Sequence, residues 1–367
     1  MENNYHRIVI IGNGFDLALG LKTSYADFIL YHLRESIINK LMDQEANDGL
    51  VTVKIGLSPF TNRDTYIENI SEYKSVNELL SRTNDDLSIE YKYPFLEELV
   101  KNYNDANWVD IENFYYEKLK FEFRNYKQSY GDEGLGEIIA LNQCIDKITI
   151  ALNVFLSVQQ DSISINYLDS PMSSLIDKIA EPLRPEYARL VKRHNRTNPP
   201  DEIIFLNFNY TNTVFKLINS SFNKSSSRHI SIHGTVFDPS NPMIFGYGDD
   251  TGDEYKELER DGENEILRKI KSFQYPRTHN YHNLLNYLES NDFDVFIIGH
   301  SCGLSDRTLL KTIFEHRKCL AIQKFNFQGE QEDFNKRMEI SRHFSDKILM
   351  RERVLPYDEF AVIPQAK

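Results

Sequence analysis

Cysteine is scarce in this chain of 367 residues: Cys144, Cys302 and Cys319 are all it has. An odd, scattered set builds neither a disulfide framework nor a four-thiolate zinc site, so no metal site and a reducing, cytoplasmic setting are expected. Positive charge is in deficit as well. With 42 Lys+Arg against 55 Asp+Glu the formal charge is −13, which repels a phosphate backbone and disfavours nucleic acid as a partner. Long apolar runs are missing, the longest being of the kind Ile8 to Ile11 and Val295 to Ile298. These fall far short of the roughly 20 residues that cross a bilayer, and no membrane association is expected. Met1 to Arg7 is polar and leads straight into a strand-like run, without the charged and apolar regions of a signal peptide. What remains, 41% hydrophobic and 12% aromatic residues with ordinary Gly and Pro, is enough to order a globular fold.

The clearest local pattern comes early. Arg7-Ile-Val-Ile-Ile11 reads as a buried strand, Gly12-Asn13-Gly14 as a tight turn, and the spacing that follows as a helix. A second helix is predicted from Tyr25 to about residue 44, opened by the capping-box spacing of Ser24 and Asp27. From 45 to 200 the texture turns charged and aromatic, predicting a mainly helical insertion with a short hairpin near Val51, Val53 and Ile55. Strand candidates then resume: Glu202 to Asn209, His229 to His233, Met243 to Tyr247, Phe293 to Gly299 and Cys319 to Phe325. Asp249 to Glu265 reads as an acidic surface loop. The expected fold is α/β, a Rossmann-like, mainly parallel sheet built from 1–44 and 201–367 and interrupted by a helical insertion at 45–200.

In such a sheet ligands bind beyond the carboxyl ends of the strands, where the polar clusters of this sequence fall. Gly12-Asn13-Gly14 has the form of a phosphate turn, but the dinucleotide-binding fingerprint fails because position 17 is Leu and Glu35 lies in a predicted helix. A tight turn without a ligand is the plain alternative. Gly299-His300-Ser301-Cys302-Gly303 matches the spacing of a nucleophile elbow after a strand, yet only 66 residues follow Ser301 to supply an acid and a histidine. Asp306 beside it has the character of a helix cap. Asn209, at a strand end, has an amide able to hold a ribose hydroxyl or a water. His233 ends an alternating strand and is a candidate base, whereas His279 and His282 read as surface residues.

Together these segments carry a family resemblance. Ile10-Ile-Gly-Asn-Gly-Phe-Asp-Leu-Ala-Leu-Gly-Leu-Lys-Thr-Ser-Tyr25, Trp108-Val-Asp-Ile-Glu112, Leu206-Asn-Phe-Asn-Tyr-Thr-Asn-Thr213, Ile232-His-Gly234, Phe245-Gly-Tyr-Gly-Asp249 and Ile298-Gly-His-Ser-Cys-Gly-Leu-Ser-Asp306 resemble the AbiH family of phage abortive-infection proteins. A more distant resemblance is to sirtuin-like NAD-cleaving domains. It rests on Gly12, Gly14 and Gly20-Leu21, on Asn209-Tyr210, on His233-Gly234, and on Gly299, Ser301 and Asp306. This sequence departs from that pattern at Asp16, where serine is usual, at Thr211, where an acid is usual, at Lys22 in place of proline, and in lacking zinc cysteines.

The resemblances imply an antiphage effector that binds NAD or a related nucleotide and hydrolyses its nicotinamide–ribose bond. Catalysis would fall to Asn209, His233 and Asp16, with Glu112 as another acid, and nucleotide contacts to Gly12, Asn13, Gly14, Gly299, Ser301 and Asp306. A phage-derived trigger is implied and self-association is left open. The competing readings are a nucleotide-binding sensor that has lost catalysis and, further off, a serine hydrolase or a nuclease.

Overall fold

The computed structural model describes residues 5–42, 44, 49–56, 62–81, 87–102, 108–128, 133–162, 172–191, 198–221 and 226–365. Seven strands are found among them: β1 (His6–Ile11), β2 (Val51–Ile55), β3 (Leu87–Tyr91), β4 (Glu202–Asn207), β5 (Ser226–Ser231), β6 (Phe293–Ile298) and β7 (Cys319–Lys324). The chain divides into two compact units, one of Met1–Leu21, Gln159–Lys256 and Ile270–Lys367, the other of Lys22–Val158 and Glu257–Lys269.

The first unit holds a parallel sheet in the order β5-β4-β1-β6-β7. Counted in chain order within that sheet, the strands run 3-2-1-4-5, the doubly wound arrangement whose direction reverses between β1 and β6. The apolar runs explain it. Each of β1, β6 and β7 is buried along its whole length, as a parallel strand covered on both faces must be. Alternate residues feed two cores: Ile8, Ile10, Ile204, Leu206, Val295 and Ile297 pack on one face, and Val9, Ile11, Ile203, Phe205, Phe296 and Ile298 on the other.

On the neighbouring strands β1 and β6 a charged pair breaks this apolar pattern. Arg7 and Asp294 are register partners across β1 and β6, and neither side chain is exposed at all. The Arg7 guanidinium donates to both Asp294 oxygens, at 2.8 and 2.7 Å. Its remaining nitrogen donates to the carbonyls of Ile179 and Glu181, and its plane covers the Phe296 ring at 3.7 Å. Desolvation of both charges is thus met by a bidentate bond and by carbonyls beside it.

The second unit packs helices around the antiparallel pair β2 and β3. The Ser24 capping box is present on helix Tyr25–Leu41, which ends three residues short of the expected limit. Trp108, which opens helix Trp108–Gln128, donates from Nε1 to the Thr23 carbonyl at 2.9 Å and meets the Tyr25 ring edge-on. The expected hairpin partner of β2 lies about 30 residues on, at β3, because helices Arg63–Glu72 and Val76–Ser81 intervene.

Three expectations need correction. Met243 to Tyr247 forms no strand. Its backbone leaves the sheet and crosses to other loops, with Ile244 N–H donating to the His233 carbonyl and Tyr247 carbonyl accepting from Lys271 N–H. The acidic stretch after Asp249 is not all loop, since Asp253–Asp261 is a helix that buries Tyr255 and Leu258. Nor is apolar length as short as contiguous runs suggest: helix Gly134–Ser162 contains an 18-residue window of mean hydropathy 1.4, of which 44% is buried. By length and composition alone that helix could span a bilayer.

The Arg7–Asp294 pair yields a direct test. Arg7→Leu and Asp294→Leu should each cost about 3–5 kcal/mol in urea unfolding of the full chain, because each strands a buried charge. The double variant should cost far less than the sum of the two, and additive losses would show that the pair is not coupled.

Candidate functional site

The strand ends share a simple regularity. Two residues beyond β1, β4, β5, β6 and β7 stand Asn13, Asn209, His233, His300 and Asn326. Each carboxyl end therefore delivers one amide or imidazole to the same edge of the sheet. These residues and their neighbours separate into two clusters.

Asp306 is the centre of the first cluster. It takes the N-cap position of helix Arg307–Phe314, but its side chain makes no capping bond. The carboxylate faces inward instead. Oδ1 accepts from Lys271 Nζ at 2.8 Å and lies 3.3 Å from His233 Nε2, while Oδ2 lies 3.4 Å from His300 Nε2. Burial by itself would raise the Asp306 carboxyl, but Lys271 and the two imidazoles overcome it and hold the group well below the usual carboxylate range. Burial lowers both histidines, helped by Lys271 and opposed by Asp306, so both are neutral near pH 7.

The hydrogen-bond network assigns their tautomers. His300 Nδ1 accepts the Cys302 N–H at 3.0 Å, which leaves the proton on Nε2, toward Asp306. His233 likewise directs Nε2 to Asp306, with the Tyr275 hydroxyl at 3.5 Å, so Nδ1 is its basic atom. The Phe208 ring meets both imidazoles at centroid distances of 4.9 and 4.3 Å. The segment that was expected to be a strand assembles this cluster. The Gly248 carbonyl accepts from Thr308 N–H, and Asp249 binds Arg307 at 2.9 Å, so residues 244–249 tie His233, Lys271 and the Asp306 helix together.

Asp16 anchors the second cluster. Its oxygens accept from the Thr211 and Thr213 hydroxyls, both at 2.5 Å. Asn209 donates from Nδ2 to the Gly12 carbonyl at 3.1 Å, and Asn207 holds both Asn209 N–H and the Thr211 carbonyl. Burial raises the Asp16 carboxyl to about 6, against the lowering effect of its bonds from Thr211, Thr213 and Asn209. Asn209 and His233 do not bond to each other. Phe208, which touches His233, belongs to one sheet-face core, whereas Phe15, Ala18 and Val214, around Asp16 and Thr213 in the chain, belong to the other.

The glycine turn serves the backbone. Gly12 N–H donates to the Ile298 carbonyl and Gly14 N–H to the Gly299 carbonyl. A Cβ on Gly12 would stand 2.4 Å from His300 Cα, and one on Gly299, whose φ is +68°, 2.3 Å from Phe15 N. Both amides are consumed and the crevice at the β1–β6 reversal is closed by backbone packing. The helix that follows, Asn13–Ala18, has six residues and a weak dipole. This turn does not fit a pyrophosphate cradle.

The remaining expected residues are placed as follows. Ser301 is exposed, and the left-handed residue of its motif is the buried Cys302, with φ of 58°. A nucleophile elbow puts that conformation on the serine. Asn13 is half-buried, Glu112 is buried in the second unit, and His279 and His282 are exposed. Lys271 and Tyr275 escape the sequence reading because Leu267-Arg-Lys-Ile-Lys271 looks like any solvated basic run.

Fold and cluster define a doubly wound α/β protein with a buried Asp–His–Lys centre at the carboxyl edge of its sheet. Residues 8–327 match the family model described as Bacteriophage abortive infection AbiH. The chain belongs to that family, and a role in abortive infection by phage follows. A comparison with curated proteins gives no match.

Asp16 offers a pH test. A raised folded-state pKa means stability that is present below the unfolded value near 4 and lost as pH rises through about 6. Between pH 4 and pH 7 the stability difference should therefore move in favour of Asp16→Asn, by up to about 3 kcal/mol. Urea unfolding at the two pH values measures it, and a shift toward wild type would assign Asp16 a stabilised charge.

Proposed function

We propose that this chain is a cytoplasmic abortive-infection effector that hydrolyses a nucleotide, NAD being the first to test, after a phage-derived trigger. One observation carries the reading: a buried His233 whose Nε2 lies 3.3 Å from Asp306 Oδ1, the oxygen that Lys271 also holds. That pairing leaves Nδ1 as a base and supplies a carboxylate to stabilise the imidazolium formed when it takes a proton from water or a hydroxyl. Lys271 fixes the carboxylate, and His300 and Phe208 fix the orientation around it. Asn209 and Asp16 act as positioning residues that hold the end of β4 to the turn after β1. The mechanism therefore relies on the Asp306 cluster and not on an Asn209–His233 pair.

A second reading, a sensor or interaction protein without catalysis, is favoured by the engaged amides of Gly12 and Gly14, which leave that turn without donors for a pyrophosphate. The two readings separate on one experiment. His233→Ala and Asp306→Asn should lower the NAD-cleaving rate of purified protein, with phage lysate added, by about 10²- to 10⁴-fold. Both should abolish protection while the protein remains folded by circular dichroism. Constant NAD in wild-type cells during active protection overturns NAD hydrolysis, and protection that survives His233→Ala favours the sensor.

A further inference from the structure

Helix Glu133–Ser162 carries apolar residues on its outer as well as its inner face. Its inner face buries Ile138, Leu141, Ile145, Ile148, Leu152 and Phe155. On the outer face Ile150 is 60% exposed, Val154 45% and Val158 46%. Lys147 and Asp161, both exposed, end the same stripe. At 100° per residue these five positions fall within one narrow sector of the helix, and at 1.5 Å per residue the stripe is about 21 Å long.

The order of residues along the stripe points to its occupant. Turned end for end about Val154, the stripe becomes its own chemical complement. Lys147 exchanges with Asp161, Ile150 with Val158, and the small flanking Ala151 with Ser157, while Val154 meets itself. An isologous contact asks a surface for this self-complementarity. A lipid surface would ask instead for basic residues flanking the apolar face, and here one end of the stripe is acidic.

We propose that the outer face of helix Glu133–Ser162 pairs antiparallel with the same helix of a second copy of this chain, on a two-fold axis at Val154. The contact sets Val154 against Val154, packs Ile150 against Val158 twice, and closes each end with a Lys147–Asp161 ion pair. One helix face from each partner is a small contact beside the roughly 1,200 Å² at the low end of standard interfaces, so the dimer is concentration-dependent and is to be sought from micromolar concentrations upward.

Cysteine cross-linking of the full chain reads the register, with little background because Cys144, Cys302 and Cys319 are buried. Val154→Cys should form a disulfide-linked dimer under mild oxidation. Ile150→Cys should not, because in this register the two copies of position 150 stand about 12 Å apart along the axis, beyond disulfide reach. A mixture of Ile150→Cys and Val158→Cys should cross-link as a heterodimer. Efficient Ile150→Cys self-linking would indicate a parallel pairing and overturn the proposal. In sedimentation velocity, Val154→Glu should weaken self-association at least about 10-fold. Lys147→Asp and Asp161→Lys should each weaken it about threefold, and the double exchange should restore it. A wild-type protein that stays monomeric to 100-fold above micromolar concentration overturns the proposal. So does one that sediments with phosphatidylcholine–phosphatidylglycerol vesicles through Val154 without dimerising.

Discussion

The bidentate bond between Arg7 and Asp294 sets the frame for the rest of the first unit. It joins residues 287 positions apart and does so inside the sheet, where neither charge has water to fall back on. A slip of one residue between β1 and β6 would turn every side chain to the opposite face and leave both charges unpaired. With the pair in place, Ile11 stands beside Ile298, and the turns that follow the two strands meet through Gly12, Gly14 and Gly299. His300 then has one available position. The same counting along β4 and β5 places Asn209 and His233, so the geometry around Asp306 is inherited from a charge pair at the far end of the strands.

Much of this could be read in the residues. Strands β1, β4, β6 and β7 were legible as apolar runs, and the Ser24–Asp27 capping box located a helix start to the residue. Polar residues at strand ends marked the edge of the sheet that carries the site. What escaped was what depends on distant partners. Met243 to Tyr247 has strand-like composition, but a proline at 242 and glycines at 246 and 248 let it bond to three different loops. Asp306 looked like a cap because capping is a local rule, and the stronger pull of buried Lys271 is not local. Lys271 itself carried no signal, since a lysine in a basic run announces nothing about burial.

Asp16 and Thr211 depend on distance in the same way: the two side chains bond to each other across 195 positions of sequence, a contact that neither residue announces locally. The glycine turn carries the opposite lesson: its spacing suggests a ligand, whereas its amides and Cα atoms are occupied by the neighbouring backbone.

The central strand of the sheet is made long before its partners. At 5–20 residues per second, about 10 to 40 s of translation separate β1 from β4, and more passes before β6 leaves the ribosome. During that interval β1 is an unpaired apolar segment with a lone arginine, and no edge of the site exists. His233, Lys271, His300 and Asp306 are all supplied after β4, so a chain that stops before Asp306 carries no assembled centre. In a member of a family of phage abortive-infection proteins, this order of synthesis keeps the Asp306 centre from forming on any chain that stops short of it.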